Sequence, residues 1–251
     1  MNKLIKSLEE IELMRISCKM LAQMMLDLEP MVKEGTTPLQ IDKFAYDWIL
    51  SHGANTAFLN YGKFPNTLCI GVNNMATHGV PTHIPFKNGD VVTIDAGLIK
   101  DKYYSDMART YLIGDVTLPK IKFVNTVKLA LDKAIRAAKI GNTVGDISYA
   151  IHSTVSPFGY HPLVEYVGHG IGTKLHDDPQ IPGAYGKPGQ GVKLEEGMTL
   201  AIETLVNMGK AKVFTSKKDG WTTYTADNSI FSLWENTILV TAEGGEILTK
   251  V

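Results

Sequence analysis

Apolar residues recur at helical spacing near the start of the chain. In residues 11–28 they stand three or four positions apart, which is the period of one face of an α-helix. Ser7 precedes this run and Glu10 follows Ser7 by three positions, a pattern typical of a helix start. A second run with the same period follows Thr37-Pro38. The pattern therefore predicts two helices in the first fifty residues.

From Thr67 onward the period changes to two, which indicates β-strands. Helical periodicity returns at 119–139 and 145–155, and strand-like segments resume after it. The predicted strands are residues 68–72, 91–95, 103–113, 198–206, 211–215, 221–225 and 230–240. Helices followed by strands, twice over, favour an α+β fold made of two similar halves. No linker or low-complexity segment divides the chain, so we expect a single domain over residues 1–251.

Composition excludes several classes of protein. The chain of 251 residues has a net charge of −1, which gives no reason to expect a nucleic-acid or membrane-surface partner. Its two cysteines, Cys18 and Cys69, form no Cys-x-x-Cys motif and suit a reducing compartment. No run of eighteen apolar residues and no signal-peptide pattern occur, so we expect a cytoplasmic protein.

Two aspartates flank a predicted hairpin whose polar tip is Lys100-Asp101-Lys102. A turn centred between residues 100 and 101 would place Asp95 directly opposite Asp106, on one face of the sheet. Two buried carboxylates so close together must share a proton or hold a cation between them. The alternative is a displaced turn that directs one of the two aspartates into water.

Three further residues add to this pair. His169 lies among glycines in Gly168-His169-Gly170-Ile171-Gly172, which leaves its imidazole uncrowded, although a lone histidine is commonly structural. Glu203 and Glu235 each interrupt an apolar strand, and neither strand contains a lysine or arginine that could pair with them. Four carboxylates and one imidazole together suit two divalent cations that carboxylates bridge.

These residues occur in motifs that resemble those of the type I methionine aminopeptidases, in their short bacterial form. The similarity extends from about residue 8 to the end of the chain. The motifs are Thr77-His78-Gly79-Val80-Pro81, residues 90–97, Ser105-Asp106, residues 168–172, His176, residues 198–207, Asp219-Gly220-Trp221 and Glu235. The resemblance implies a pita-bread (creatinase-like) fold, in which pseudo-two-fold αβ halves and an antiparallel sheet enclose a dinuclear metal site. The implied activity is hydrolysis that removes the initiator methionine from nascent proteins and peptides.

The same resemblance assigns roles to individual residues. Two divalent ions are held by five ligands: Asp95, Asp106, His169, Glu203 and Glu235. Glu203 is the candidate general base, His176 binds the scissile carbonyl oxygen, and His78 contacts the scissile nitrogen. The methionine side chain is received by Phe58, Tyr61, Phe64, Cys69, Leu175 and Trp221. Without the resemblance, these residues would equally be interpreted as part of the core.

The sequence departs from the family pattern at several positions. Thr204 stands where proline is usual after the glutamate ligand, and Asn236 stands where histidine is common. Phe58, Phe64 and Leu175 replace the usual cysteine, tyrosine and phenylalanine. All five ligands are present, so we expect activity. The substitutions in the pocket leave the rate and the range of substrates open.

Other functions remain alternatives at this point. One is an Xaa-Pro dipeptidase, which usually has an additional N-terminal domain, and another is a non-catalytic binding protein on the same fold. Co, Mn, Fe and Zn all suit the ligand set, so the metal is open. We expect a monomer that acts on nascent polypeptide N-termini. A ribosome contact and the tolerance for residues after methionine are open.

Overall fold

The computed structural model describes residues 4–251, so the first three residues of the predicted domain lie outside the described part. The helices are α1 (Leu8–Leu28), α2 (Pro38–Ser51), α3 (Leu118–Ala137) and α4 (Val144–Val155). The strands are β1 (Asn55–Thr56), β2 (Leu68–Val72), β3 (Val91–Lys100), β4 (Tyr103–Leu112), β5 (His161–Pro162), β6 (Val167–Gly170), β7 (Asp177–Pro182), β8 (Thr199–Asn207), β9 (Val213–Thr215), β10 (Thr223–Thr225), β11 (Phe231–Val240) and β12 (Gly245–Ile247).

The first two helices begin where the sequence predicts. Ser7 Oγ accepts a hydrogen bond from the Glu10 amide at 3.2 Å, and the Glu10 carboxylate accepts one from the Ser7 amide at 2.8 Å. Thr37 and Gln40 form the same reciprocal cap at the start of α2. These caps satisfy amide groups that a helix start otherwise leaves without partners.

One antiparallel sheet runs through both halves of the chain. Its main path is β1-β3-β4-β11-β8-β6-β7, and β2, β5 and β12 pair with strands of that path. Because β11 lies between β4 and β8, the two halves meet in the middle of the sheet. The remaining strands, β9 and β10, form a separate hairpin.

Alternate positions along the central strands face opposite sides of the sheet. Most even-numbered apolar residues of β3, β8 and β11 belong to the apolar cores under the helices, as Ile94, Ile202 and Ile238 do. Helices α1 and α3 contact this sheet, at β3 and β4 and at β8 and β11 respectively. The odd-numbered positions of the same strands, which include Glu203, therefore face the other side.

The hairpin of β3 and β4 corrects one expectation. Asp95 pairs with Ala108 and Gly97 pairs with Asp106, so the two aspartates are not directly opposite. The turn lies one residue later than predicted, at Asp101-Lys102, and both of these residues have the positive φ typical of tight hairpins. A turn displaced by one residue changes each pairing by two positions. Both aspartates consequently stay on one face, as diagonal neighbours, and neither is turned away from the other.

The sequence pattern missed five strands. Three of them, β1, β5 and β12, are only two or three residues long, and β6 and β7 contain glycine and proline instead of an apolar alternation. β6 is the strand that holds His169. Among the described residues, no helix has the length and apolar character needed to cross a membrane.

Candidate active site

Three acidic side chains lie in one row across the sheet. Asp95 pairs with Ala108, Ala108 pairs with Glu235, and Glu235 pairs with Glu203, on strands β3, β4, β11 and β8. Direct partners in neighbouring antiparallel strands direct their side chains to the same face. The row therefore brings together three carboxylates, of which Asp95 and Glu235 are the furthest apart in the sequence, at 140 positions.

Two more polar side chains flank this row. Asp106 precedes Ala108 by two positions on β4, and His169 on β6 pairs with Ala201, two positions before Glu203. His169 Nε2 lies 3.8 Å from Asp106 Oδ2. One ligand atom from each of Asp106, His169 and Glu235 lies within 4.8 Å of the other two. Five adjacent strands thus supply one polar side chain each to a single place.

Burial and mutual repulsion disfavour the charged forms of the four acids. Burial raises the pKa of Asp95 to about 7. Burial, followed by the charges of neighbouring acids, raises the pKa values of Asp106, Glu203 and Glu235 well above their usual range. Among the described residues, Asp95 Oδ1 and Asp106 Oδ1 have no hydrogen-bond partner despite being buried. Buried carboxylate oxygens without donors are the arrangement that a divalent cation stabilises.

The surroundings of His169 keep its imidazole neutral and leave one ring nitrogen free. Its Nδ1 contacts the Gly170 carbonyl oxygen at 3.0 Å, so Nδ1–H donates and Nε2 keeps a free lone pair. Burial and the neighbouring His176 lower the pKa of His169 to about 4, which keeps the imidazole neutral at pH 7. A Cβ on Gly170 would collide with the Asp178 carbonyl oxygen, so the close packing beside His169 requires glycine there.

A cavity of about 310 Å³ opens over these side chains. All thirteen residues that the sequence predicted for the site line it: Phe58, Tyr61, Phe64, Cys69, His78, Asp95, Asp106, His169, Leu175, His176, Glu203, Trp221 and Glu235. The structure therefore brings together every one of the predicted residues. Six further lining residues were not predicted: Gly62, Thr77, Glu165, Tyr166, Val167 and Leu205.

His78 and His176 approach the cavity from different loops. His78 has a φ of 54°, a left-handed conformation that is strained for a residue with a side chain. Its ring stands edge-on to Tyr166 and Trp221, with centroids 5.2 and 6.2 Å away, and burial lowers its pKa to about 4. The His176 ring lies edge-on to His169, with centroids 4.5 Å apart.

Apolar side chains form the end of the cavity beyond the acids. Phe64 packs edge-on against Trp221 with centroids 5.4 Å apart. Phe58 lies over Gly97, where a Cβ would approach the Phe58 ring to 2.8 Å. Leu175 and Cys69 are buried in the same apolar cluster, and burial raises the pKa of the Cys69 thiol well above its usual range. Cys69 thus both lines the cavity and belongs to the core.

Comparison with known proteins identifies the family. The model of metallopeptidase family M24 matches residues 12–242. This chain belongs to metallopeptidase family M24. It is 40% identical over 247 residues to the methionine aminopeptidase of Clostridium acetobutylicum, covering 98% of both chains. The resemblance stated from the sequence is confirmed.

Solved structures of M24 relatives establish the fold. The crystal structure of methionine aminopeptidase from Thermotoga maritima matches with a TM-score of 0.95 and 38% identity, over 98% of this chain and 99% of that one. Prolidase from Pyrococcus furiosus matches with a TM-score of 0.78 and 23% identity, over 99% of this chain and 66% of that one, which is a likeness of fold alone. The pita-bread fold expected from the sequence is confirmed.

An arginine behind the acids was missed by the sequence reasoning. Arg109 Nη1 donates to the backbone carbonyl oxygens of Glu235 at 2.6 Å and Ala108 at 2.8 Å. Its Nη2 donates to Asn236 Oδ1 at 2.8 Å, and Asn236 Oδ1 also accepts from Thr249 Oγ1 at 3.0 Å. Arg109 lies on the neighbouring strand β4, so the sequences of the two glutamate-containing strands do not reveal it.

The structure shows how this M24 chain accommodates two of its departures. Asn236, in place of the common histidine, is the acceptor for both Arg109 and Thr249. Thr204, in place of the usual proline, is fully buried, and its hydroxyl donates to the Trp234 carbonyl oxygen at 3.0 Å. Neither substitution leaves its side-chain oxygen without a partner, which matters because an unpaired buried polar group costs about 1–3 kcal/mol.

Proposed function

We propose that this protein is a methionine aminopeptidase, which removes the initiator methionine from nascent proteins and peptides by metal-dependent hydrolysis of the first peptide bond. The observation that supports this most is the position of the acidic cluster at one end of a small apolar cavity. A free N-terminus, its apolar side chain and the first peptide bond fit such a cavity together. Residues 4–251 act as one catalytic domain, and the protein is a cytoplasmic monomer.

Two divalent ions would be held by Asp95, Asp106, His169, Glu203 and Glu235. The donor set fits, because it consists of carboxylate oxygens and a neutral imidazole nitrogen that Co, Mn, Fe and Zn all accept. Three of these residues, Asp106, His169 and Glu235, are buried and offer ligand atoms within 4.8 Å of one another, so they would form the core of the metal site. When bound, the ions would supply Lewis acidity and lower the pKa of a water molecule toward neutrality.

The side chains around the cluster have separate tasks in this proposal. Glu203 takes the proton from the attacking water, since its half-buried carboxylate opens to the cavity and its pKa is raised by burial. His176 donates a hydrogen bond to the scissile carbonyl oxygen and stabilises the charge that develops there. His78, held between Tyr166 and Trp221, contacts the scissile nitrogen and assists its departure.

The apolar end of the cavity selects the first side chain. The methionine side chain would lie among Phe58, Phe64, Cys69, Leu175 and Trp221, with Tyr61 at the mouth. A linear thioether fits a narrow slot better than a branched or charged side chain does. Such a slot discriminates by about 1–3 kcal/mol for each methylene group.

The decisive experiment measures release of methionine from Met-Ala-Ser by metal-stripped protein, with Co²⁺, Mn²⁺, Fe²⁺ or Zn²⁺ added back in turn. We expect metal-dependent release, with Leu-Ala-Ser, Lys-Ala-Ser and Xaa-Pro dipeptides left intact. Asp106→Asn should keep its circular dichroism spectrum and lose both metal binding and turnover. Cleavage of Xaa-Pro dipeptides instead would support a dipeptidase. Bound metal without any cleavage would support the non-catalytic binding protein.

A further inference from the structure

A hydrogen bond crosses the mouth of the cavity. The Tyr61 hydroxyl lies 2.8 Å from His176 Nδ1, and the two ring centroids are 5.3 Å apart. These residues are separated by 115 positions in the sequence, so the contact joins two loops from different halves of the chain. Among the described residues, Tyr61 is the only hydrogen-bond partner of the His176 side chain.

The loop that presents Tyr61 is held in one conformation. Asn60, Gly62 and Lys63 all have positive φ values, of 67°, 54° and 75°. Backbone hydrogen bonds close the loop from both sides, from the Asn60 amide to the Phe64 carbonyl oxygen at 2.8 Å and from the Phe64 amide to the Tyr61 carbonyl oxygen at 2.9 Å. A non-glycine residue with positive φ persists only where its surroundings fix it.

This loop also packs against the far wall of the cavity. A Cβ on Gly62 would lie 3.2 Å from the Trp221 ring, and Phe64 contacts the same ring edge-on. The Tyr61 side chain is 45% exposed, so burial does not fix its orientation. The hydrogen bond to His176 and the loop backbone therefore determine where the hydroxyl group stands.

We propose that Tyr61 is a positioning residue, whose hydroxyl donates to Nδ1 of His176 and holds the imidazole as the tautomer that is protonated at Nε2. In a neutral imidazole, one nitrogen donates and the other accepts, and the hydrogen bond of one nitrogen decides the state of the other. A phenol is a stronger acid than a neutral imidazole N–H group, so the hydroxyl is the better donor of the pair. His176 Nε2–H is then available as a donor inside the cavity.

The effect of Tyr61 on catalysis rests on the proposed function, whereas its hydrogen bond to His176 does not. If His176 donates to the scissile carbonyl oxygen, the wrong tautomer would present a lone pair to that oxygen and repel it. Tyr61 would thus affect the rate of the chemical step through His176, in addition to any contact that its ring makes with substrate. Tyr61→Phe removes the hydroxyl and keeps the ring, which separates these two effects.

The test is ¹⁵N NMR of the histidine side chains at pH 8, where a histidine of ordinary pKa near 6.5 is neutral. Metal-free and Zn²⁺-loaded protein are compared, and the His176 signals are assigned by their loss in His176→Asn. We expect the wild type to show a protonated Nε2 and an unprotonated Nδ1. In Tyr61→Phe we expect a mixture of tautomers, with kcat for Met-Ala-Ser lowered about 10- to 100-fold and KM changed less than about threefold.

Tyr103→Phe is the matched control, because it deletes a hydroxyl that donates to Glu10 at 3.1 Å outside the cavity. It should leave both the His176 signals and kcat unchanged. A wild-type His176 protonated at Nδ1, or a Tyr61→Phe variant with unchanged signals and kcat, would overturn the inference. A wild type with the expected tautomer and no methionine release supports the hydrogen-bond assignment and overturns the proposed function instead.

Discussion

Glu203 and Glu235 are direct partners on the adjacent antiparallel strands β8 and β11. Like charges in this arrangement destabilise a sheet, and burial strengthens the effect. Both pKa values are raised, first by burial and then by the charges of nearby acids. The centre of the sheet therefore contains a repulsion that a proton or a bound cation relieves.

The stability of the metal-free protein should fall as pH rises from 6.5 to 8. An acid whose pKa is raised on folding stabilises the fold at low pH, and that contribution is lost as pH rises through the folded-state pKa. For Asp95 that pKa is about 7, and those of Glu203 and Glu235 are raised as well.

Three histidines limit the useful pH range of this measurement. Burial lowers the pKa values of His78 and His169 to about 4 and also lowers the pKa of His176, so all three add stability as pH rises toward about 6.5 and oppose the acids there. Urea unfolding in EDTA between pH 6.5 and 8 isolates the acids. Stability that is constant or rises across this range would contradict the prediction. Saturating Zn²⁺ should reverse the slope, since metal binding requires deprotonated ligands.

Glu235→Gln should stabilise the metal-free protein while removing the stabilisation by metal. The amide keeps the shape of the side chain and removes one charge from the repelling group. We expect a melting temperature in EDTA at or above that of the wild type, with little further increase on adding Zn²⁺. Asp101→Asn, in the exposed turn of the β3–β4 hairpin, serves as the control and should behave as the wild type does. A variant less stable in EDTA than the wild type would refute the repulsion argument.

Arg109→Met should weaken metal binding although Arg109 contacts the backbone, and not the carboxylate, of the predicted ligand Glu235. The change removes donors to the Glu235 carbonyl oxygen and to Asn236, which fix β11 against β4. We expect a loss of about 1.5–3 kcal/mol in the free energy of unfolding and about 10- to 100-fold in metal affinity, measured by urea unfolding and by calorimetry. Arg136→Met, at an exposed position in α3, should change neither quantity. Unchanged metal affinity in Arg109→Met would show that the arginine acts on stability alone.

Gly97→Ala should distort the apolar slot. Its new methyl group would meet the Phe58 ring at 2.8 Å and the Ala57 Cβ at 2.9 Å, so Phe58 must move into the cavity. We expect a loss of about 1–3 kcal/mol in stability and a higher KM for Met-Ala-Ser, both partly restored by adding Phe58→Leu. Gly183→Ala is the control, because its nearest neighbour would be at an ordinary 3.5 Å. Equal effects in the two variants would contradict the argument.

The sequence by itself determined most of the local structure and the membership of the site. The capping residues Ser7 and Thr37 marked the helix starts, because a cap depends on neighbours only three positions away. Charged residues inside apolar strands identified Glu203 and Glu235, because an apolar strand has no other reason to contain a carboxylate. The family motifs then supplied His78, His176 and the residues of the apolar slot.

The tertiary structure decided the relations that depend on strand order and loop geometry. A turn displaced by one residue moved Asp95 from Asp106 to Ala108, and nothing local to the tip Lys100-Asp101-Lys102 distinguished the two registers. The pairing of β11 with β4 brought Arg109 behind Glu235 from 126 residues away. Contacts over such separations depend on the packing of the whole sheet. Short-range patterns in the sequence therefore do not predict them.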